Sequence, residues 1–278
     1  MSYYLSKYFQ WTPSIFYGFG AIYQFIGPTL NRKRDGETQS LIFFLPDLYD
    51  KVKDLSKNIF IYRVEKFDPA ANVGTSICAN IYCDNDFFSL DPNLLNFNLK
   101  HEASHIYHND NLLTSGAAFL ASTVAAFAVP YLKSCVVSRS PWWAATPTSI
   151  AMAAIPSYAG FLTRKAFIKH TEYRADNFAL TNSTPEELLA GKRMFSTFVE
   201  LNKELSKKYP QLFNSEGNFI SLVNDHPPYT ERLKMIQDEL EKRHIGDEQN
   251  TLEKSEKDQE MRDYLLNFYQ TQGIKLED

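Results

Sequence analysis

LKHEASHIYHND, residues Leu99–Asp110, sets two histidines four positions apart with a glutamate directly after the first. What these residues can do depends on whether the stretch is helical. Upstream, Asp91-Pro92 is a helix start: Asp can accept from the first free backbone N–H groups, and Pro suits the first helical position because its φ is already set. From there Leu94, Leu95, Asn98, Leu99, His101, Glu102, His105 and Ile106 recur at helical spacing, so the motif lies on a helix. Positions i and i+4 share a face, and His101 and His105 can offer ring nitrogens to one ion. Zinc accepts such a pair at about 2.0 to 2.1 Å per nitrogen, and its catalytic form needs a further protein ligand and a position left for water. Glu102, one step round the helix, is off the ligand row and placed to take a proton from that water.

A chain with this His and Glu content contains HExxH by chance on the order of once in 100 cases, so a third ligand is required. His108 is too near His105 on the same rigid segment to complete a tetrahedron and reads as a surface residue or as a support behind the ligands. KHTEYRADNFAL (Lys169–Leu180) supplies Glu172 and Asp176 on a shared helical face. Glu172 can reach the ion, while Asp176 can hold the far nitrogen of a ligand histidine or pair with an arginine. Taken alone, the same stretch is an ordinary charged helix. DHPPYTERL (Asp225–Leu233) reads as a helix N-terminus, with Asp225 or Thr230 as cap.

The rest of the chain sets the frame. Hydrophobic residues at 44% and charged residues at 22% fall in the globular range and exclude general disorder. A net charge of -4, mixed in sign, argues against a nucleic-acid partner. Cys78, Cys83 and Cys135 form no CxxC pair and point to free thiols in a reducing compartment. The N-terminus lacks the form of a cleavable export signal. Asn58–Phe67 and Thr75–Cys83 read as strands, with turn signals at Asp68-Pro69, Asn72–Gly74 and Asp84-Asn85, which predicts a small sheet.

Three uncharged stretches stand out. Trp11–Leu30 ends against Arg32, Lys33 and Arg34, and reads as a membrane anchor or as a buried helix with Pro and Gly breaks. Leu112–Leu132 and Pro141–Thr163 are each long enough, at about 1.5 Å per residue, to cross roughly 30 Å of hydrocarbon. They predict a hairpin of membrane helices; the other reading is a buried helical pair in a soluble protein. The expected organisation is an N-terminal apolar segment, residues 1–39, then a domain over residues 40–278 with the hairpin 112–163 inserted. From Met235 to Asp278 the chain is charged and helical, a solvated face.

Taken in order, HEASHIYHND, EYRAD and DHPPYTERL resemble the three signatures of the zinc metallopeptidase family that includes the heat-shock membrane protease HtpX and the CAAX prenyl protease. The resemblance runs from about Asn58 to Leu240; Ala103-Ser104 stands where Leu-Gly is commoner. It implies an α+β, predominantly helical, zincin-like domain with one Zn2+ held by His101, His105 and Glu172. It further implies Glu102 as general base, His226 as the group that stabilises the oxyanion, and Asp176, Arg232 and Asp110 as supports. Substrate, a protein or peptide, would lie along an edge strand at CANIYC around Asn80. The inserted hairpin would contact membrane lipid and the catalytic domain would face the cytoplasm. A soluble cytoplasmic peptidase and a catalytically silent interaction protein with the same fold are the competing expectations.

Overall fold

A computed structural model describes residues 11–31, 38–40, 59–64, 70–75, 78–137, 144, 147–148, 151–152, 154–220, 226–246, 251–271 and 274. In chain order the elements are α1 (Thr12–Asn31), β1 (Thr38–Ser40), β2 (Ile59–Val64), β3 (Ala70–Thr75), β4 (Cys78–Asp84), α2 (Asn85–Leu90) and α3 (Pro92–Tyr107). They continue with α4 (Asp110–Val137), α5 (Ile155–Asn182), α6 (Pro185–Ser206), α7 (Tyr229–Lys242) and α8 (Thr251–Thr271). The architecture is α+β and predominantly helical, as expected.

The strands form a mixed sheet in the order β1-β2-β4-β3, parallel between β2 and β4 and antiparallel at both outer pairs. The sequence reading differs from this in two places. Asn72–Gly74 carries turn signals but lies within β3, because its backbone pairs with β4 at Asn72↔Ile81 and Gly74↔Ala79; cross-strand pairing overrides weak intrinsic propensity. The strand expected over Thr75–Cys83 starts at Cys78, and the end of the other, past Val64, lies outside the described residues. Along β4, Ala79, Ile81 and Cys83 are fully buried in the main core, while Asn80 turns to the opposite face.

α3 is the central helix. Asp91 Oδ1 accepts from the Asn93 N–H at 2.9 Å and Pro92 opens the helix, as its sequence predicts. Burial runs almost all round it from Leu94 to Ile106, against the sheet, α5 and α6. Even Lys100 is buried, its ammonium paired with Glu187 on α6. Glu187 in turn accepts from the Thr184 N–H at 2.8 Å, half of a capping box that starts α6. After α3 the chain reverses at Asn109, whose φ of 56° is the left-handed conformation that Asn tolerates, and Asp110 becomes the first residue of α4.

α4 and α5 pack along each other, and α1 packs along α4. Small and hydroxyl residues let the backbones approach: Ser122 Oγ donates to Ser14 Oγ at 3.1 Å, and a Cβ at Gly160 would stand 2.4 Å from the Tyr17 ring. α5 is one unbroken 28-residue helix from Ile155, inside the second apolar run, through Glu172 and Asp176.

Candidate metal centre

α3 presents His101 and His105 to α5, and the two Nε2 atoms stand 3.1 Å apart. Glu172 faces both, with Oε2 3.4 Å from His101 Nε2 and Oε1 3.3 Å from His105 Nε2. Donors about 2.05 Å from a tetrahedral zinc are about 3.3 Å from each other; the two Nε2 atoms stand near that spacing, and each has one Glu172 oxygen at 3.3 to 3.4 Å, so the three buried groups converge on one ion-sized position. The donor set therefore fits zinc.

The far nitrogens of both rings are occupied. His101 Nδ1 lies 2.9 Å from Asp176 Oδ1, and His105 Nδ1 lies 2.9 Å from Asp110 Oδ2. A ring donating Nδ1–H to a carboxylate keeps its Nε2 lone pair for an ion, so these acids set the tautomer that a metal requires. Each acid is backed by an arginine: Arg232 Nη2 reaches Asp176 Oδ1 at 2.5 Å, and Arg174 Nη2 bonds Asp110 Oδ1. With both rings neutral, the donor Glu172 and the buried carboxylates around it, Glu102, Asp110 and Asp176, stand against two guanidiniums, a formal charge of about -2 that a divalent cation matches.

Titration behaviour points the same way. Burial alone pushes both rings toward the neutral form, but the hydrogen bonds with Asp110 and Glu172 outweigh it at His105 and raise that ring to about 10. His101 is raised likewise, with Asp176 and Glu172 overcoming burial. Glu172 is held below the usual carboxylate range: burial opposes its charge, and bonds from His101, His105 and His226 more than offset this. The cluster attracts positive charge.

Glu102 is buried next to these rings on α3, and its charge acts on both His105 and Cys83 of β4. His226 is half-exposed at the rim, with Nδ1 2.7 Å from Glu172 Oε2. Arg232 comes from α7, crossing Phe195 at 4.4 Å from the ring centroid on its way to Asp176. His108 stays out of the cluster, its Nδ1 bound to the Ser104 carbonyl at 2.9 Å.

Asn80 is a correction. β4 lies inside the sheet with β2 on one side and β3 on the other, so its backbone has no free edge to pair with a peptide; among the described residues the edges are β1 and β3. The buried Asn80 side chain donates instead to the Pro28 carbonyl at 3.0 Å and to Tyr82 Oη at 3.1 Å, which ties α1 to the sheet. One of the two caps expected for α7 also differs. Asp225 lies outside the described residues, and Thr230 is a recipient: its N–H donates to Asn218 Oδ1 at 3.1 Å.

Two contributors escape the sequence reading. Asn218 comes from an irregular segment with no periodicity to mark it. Arg174 sits inside EYRAD between Glu172 and Asp176, and only the fold brings it to Asp110, 64 positions away.

The model of peptidase family M48 matches residues 47–240 of the chain. No curated protein matches it. That match covers β2 to β4, the two helices of the candidate metal centre and nearly all of α7, so the chain belongs to peptidase family M48, a family of zinc metallopeptidases.

Proposed function

We propose that the chain is a zinc-dependent endopeptidase seated in a membrane, with His101, His105 and Glu172 as ligands. The observation that carries this reading is the spacing of their donor atoms, 3.1 to 3.4 Å, with both Nδ1 atoms tied to acids. Zinc held by these three residues would supply Lewis acidity, polarising a carbonyl and acidifying water. Glu102 accepts the proton of the attacking water and returns it to the leaving amine, which is why it sits beside the ligand row and not in it. His226, at the rim with Nδ1 2.7 Å from Glu172 Oε2, is the group that stabilises the carbonyl oxygen while charge builds there. Asp110 and Asp176 hold the ligand rings in one tautomer, and Arg232 holds Asp176.

Membrane association rests on the outer faces of α1, α4 and α5. Nearly all the exposed large apolar side chains among the described residues lie on these three packed helices, for example Phe16, Phe19, Leu120, Phe127, Tyr158 and Phe161. Among the described residues α4 is the helix long and apolar enough to span, and only 28% of its apolar window is buried, which is too little for the core helix of a soluble domain. Arg164 and Lys165, where α5 leaves the apolar region, favour a catalytic domain on the cytoplasmic side.

Glu102→Gln separates chemistry from binding. Zinc content stays at one ion per chain while hydrolysis of an unfolded protein substrate falls on the order of 10²- to 10⁴-fold. Glu172→Ala loses the metal as well. Wild-type cleavage by Glu102→Gln overturns the mechanism.

A further inference from the structure

The two ligand histidines have matching supports, and only one of them follows from the residues already given roles. On one side runs His101–Asp176–Arg232; on the other runs His105–Asp110–Arg174. We infer that Arg174 is a positioning residue of the metal centre, acting through Asp110 to fix the His105 ring. This inference rests on the zinc reading of the site.

The geometry gives Arg174 a task that α4 cannot perform by itself. Asp110 is 2% exposed and sits directly after a left-handed residue, Asn109, so its backbone position is set by the reversal between α3 and α4. One of its oxygens faces His105 Nδ1 at 2.9 Å and the other takes Arg174 Nη2. A carboxylate held at one oxygen only can swing about χ2; held at both, it presents a fixed acceptor to the ring. Arg174 comes from α5, two residues from Glu172, and so references His105 to the same helix that carries the third donor. The guanidinium also compensates the Asp110 charge, which would otherwise stand buried near Glu102 and Glu172.

The test uses the full chain purified in detergent, with zinc affinity measured by competition against a chromophoric chelator. Arg174→Gln weakens zinc binding about tenfold, the low end of what supports behind a ligand contribute. It also alters the visible absorption of the cobalt-loaded protein, which reports ligand geometry. Arg174→Lys keeps the charge but not the planar fork, and recovers only part of the loss. A double-mutant cycle locates the effect: in an Asp110→Asn background, Arg174→Gln costs no further affinity, because the route it acts through is already cut. If Arg174→Gln does not fold, the cycle is run with Arg174→Lys and is read the same way. Unchanged affinity and cobalt spectrum in Arg174→Gln, or equal losses in both backgrounds, overturn the inference. Failure of the zinc reading looks different: there the wild type binds zinc no more tightly than His105→Ala does.

Discussion

Asp176 bears two donors on a single oxygen, the His101 ring at 2.9 Å and Arg232 at 2.5 Å, while its other oxygen is buried with no hydrogen-bond partner among the described residues. Asp176→Asn keeps an acceptor but removes the charge. Arg232, whose side chain is only 11% exposed, is then left without its anionic partner. Losing one member of a buried ion pair costs about 3 to 5 kcal/mol, and the contact with Phe195 offsets about 2 kcal/mol of stranded charge at most, a contact the wild type already has. At about 2 to 4 °C per kcal/mol for a chain of this size, the melting temperature drops by roughly 6 to 20 °C. The assay is circular dichroism on chelator-treated protein in detergent. Adding Arg232→Leu removes the stranded charge, so the double variant melts above Asp176→Asn alone. A single variant melting within about 2 °C of wild type, or a double variant showing the sum of both single losses, refutes the reasoning. With zinc added, Asp176→Asn gains less than wild type, in line with an affinity about 10- to 100-fold weaker.

Further expectations concern pH, packing and the membrane. In metal-free protein His105 titrates near 10 against an ordinary 6.5, so the native state holds more protons between those values. Its contribution is complete below 6.5 and is lost as pH rises through about 10; urea midpoints that stay flat from pH 7 to 10 contradict this. Glu172 acts in the opposite sense, its contribution present above its ordinary 4.5 and lost as the solution is acidified. Gly160→Ala drives a methyl into Tyr17 and costs about 1 to 3 kcal/mol. Faster proteolysis of α1 with zinc affinity intact is the expected sign, and unchanged proteolysis speaks against the close α1–α5 contact. Alkaline carbonate leaves the chain in the membrane pellet, and release without detergent contradicts the membrane reading.

The parts of this molecule that were legible in its sequence are those governed by spacing along one helix. His101, Glu102 and His105 share α3, Glu172 and Asp176 share α5, and the Asp91-Pro92 start is a local signal, so each could be read within a few residues. Properties set by distant partners could not. Strand order depends on which backbones pair: CANIYC looks the same at an edge as in the interior, and Asn80 was misread for that reason. β3 is masked for a different reason: the turn preference of Asn72 and Gly74 is overridden by hairpin pairing with the strand that follows. Arg174 looks like any solvated arginine until α4 folds back and brings Asp110 to it.

The continuity of α5 restricts how such a chain can vary. Thr163 closes the apolar run and Glu172 carries a donor, and nothing but helix lies between them. One inserted residue would turn Glu172 about 100° away from the histidines and shift it about 1.5 Å along the axis. Seven would restore its direction to within about 20° but displace it by about 10 Å, two full turns out of register. Insertions and deletions between Thr163 and Glu172 are therefore barred in nearly every length, and a change in the size of the apolar insert has to fall outside that span. The helix acts as a strut of fixed length between the apolar run and the candidate metal centre.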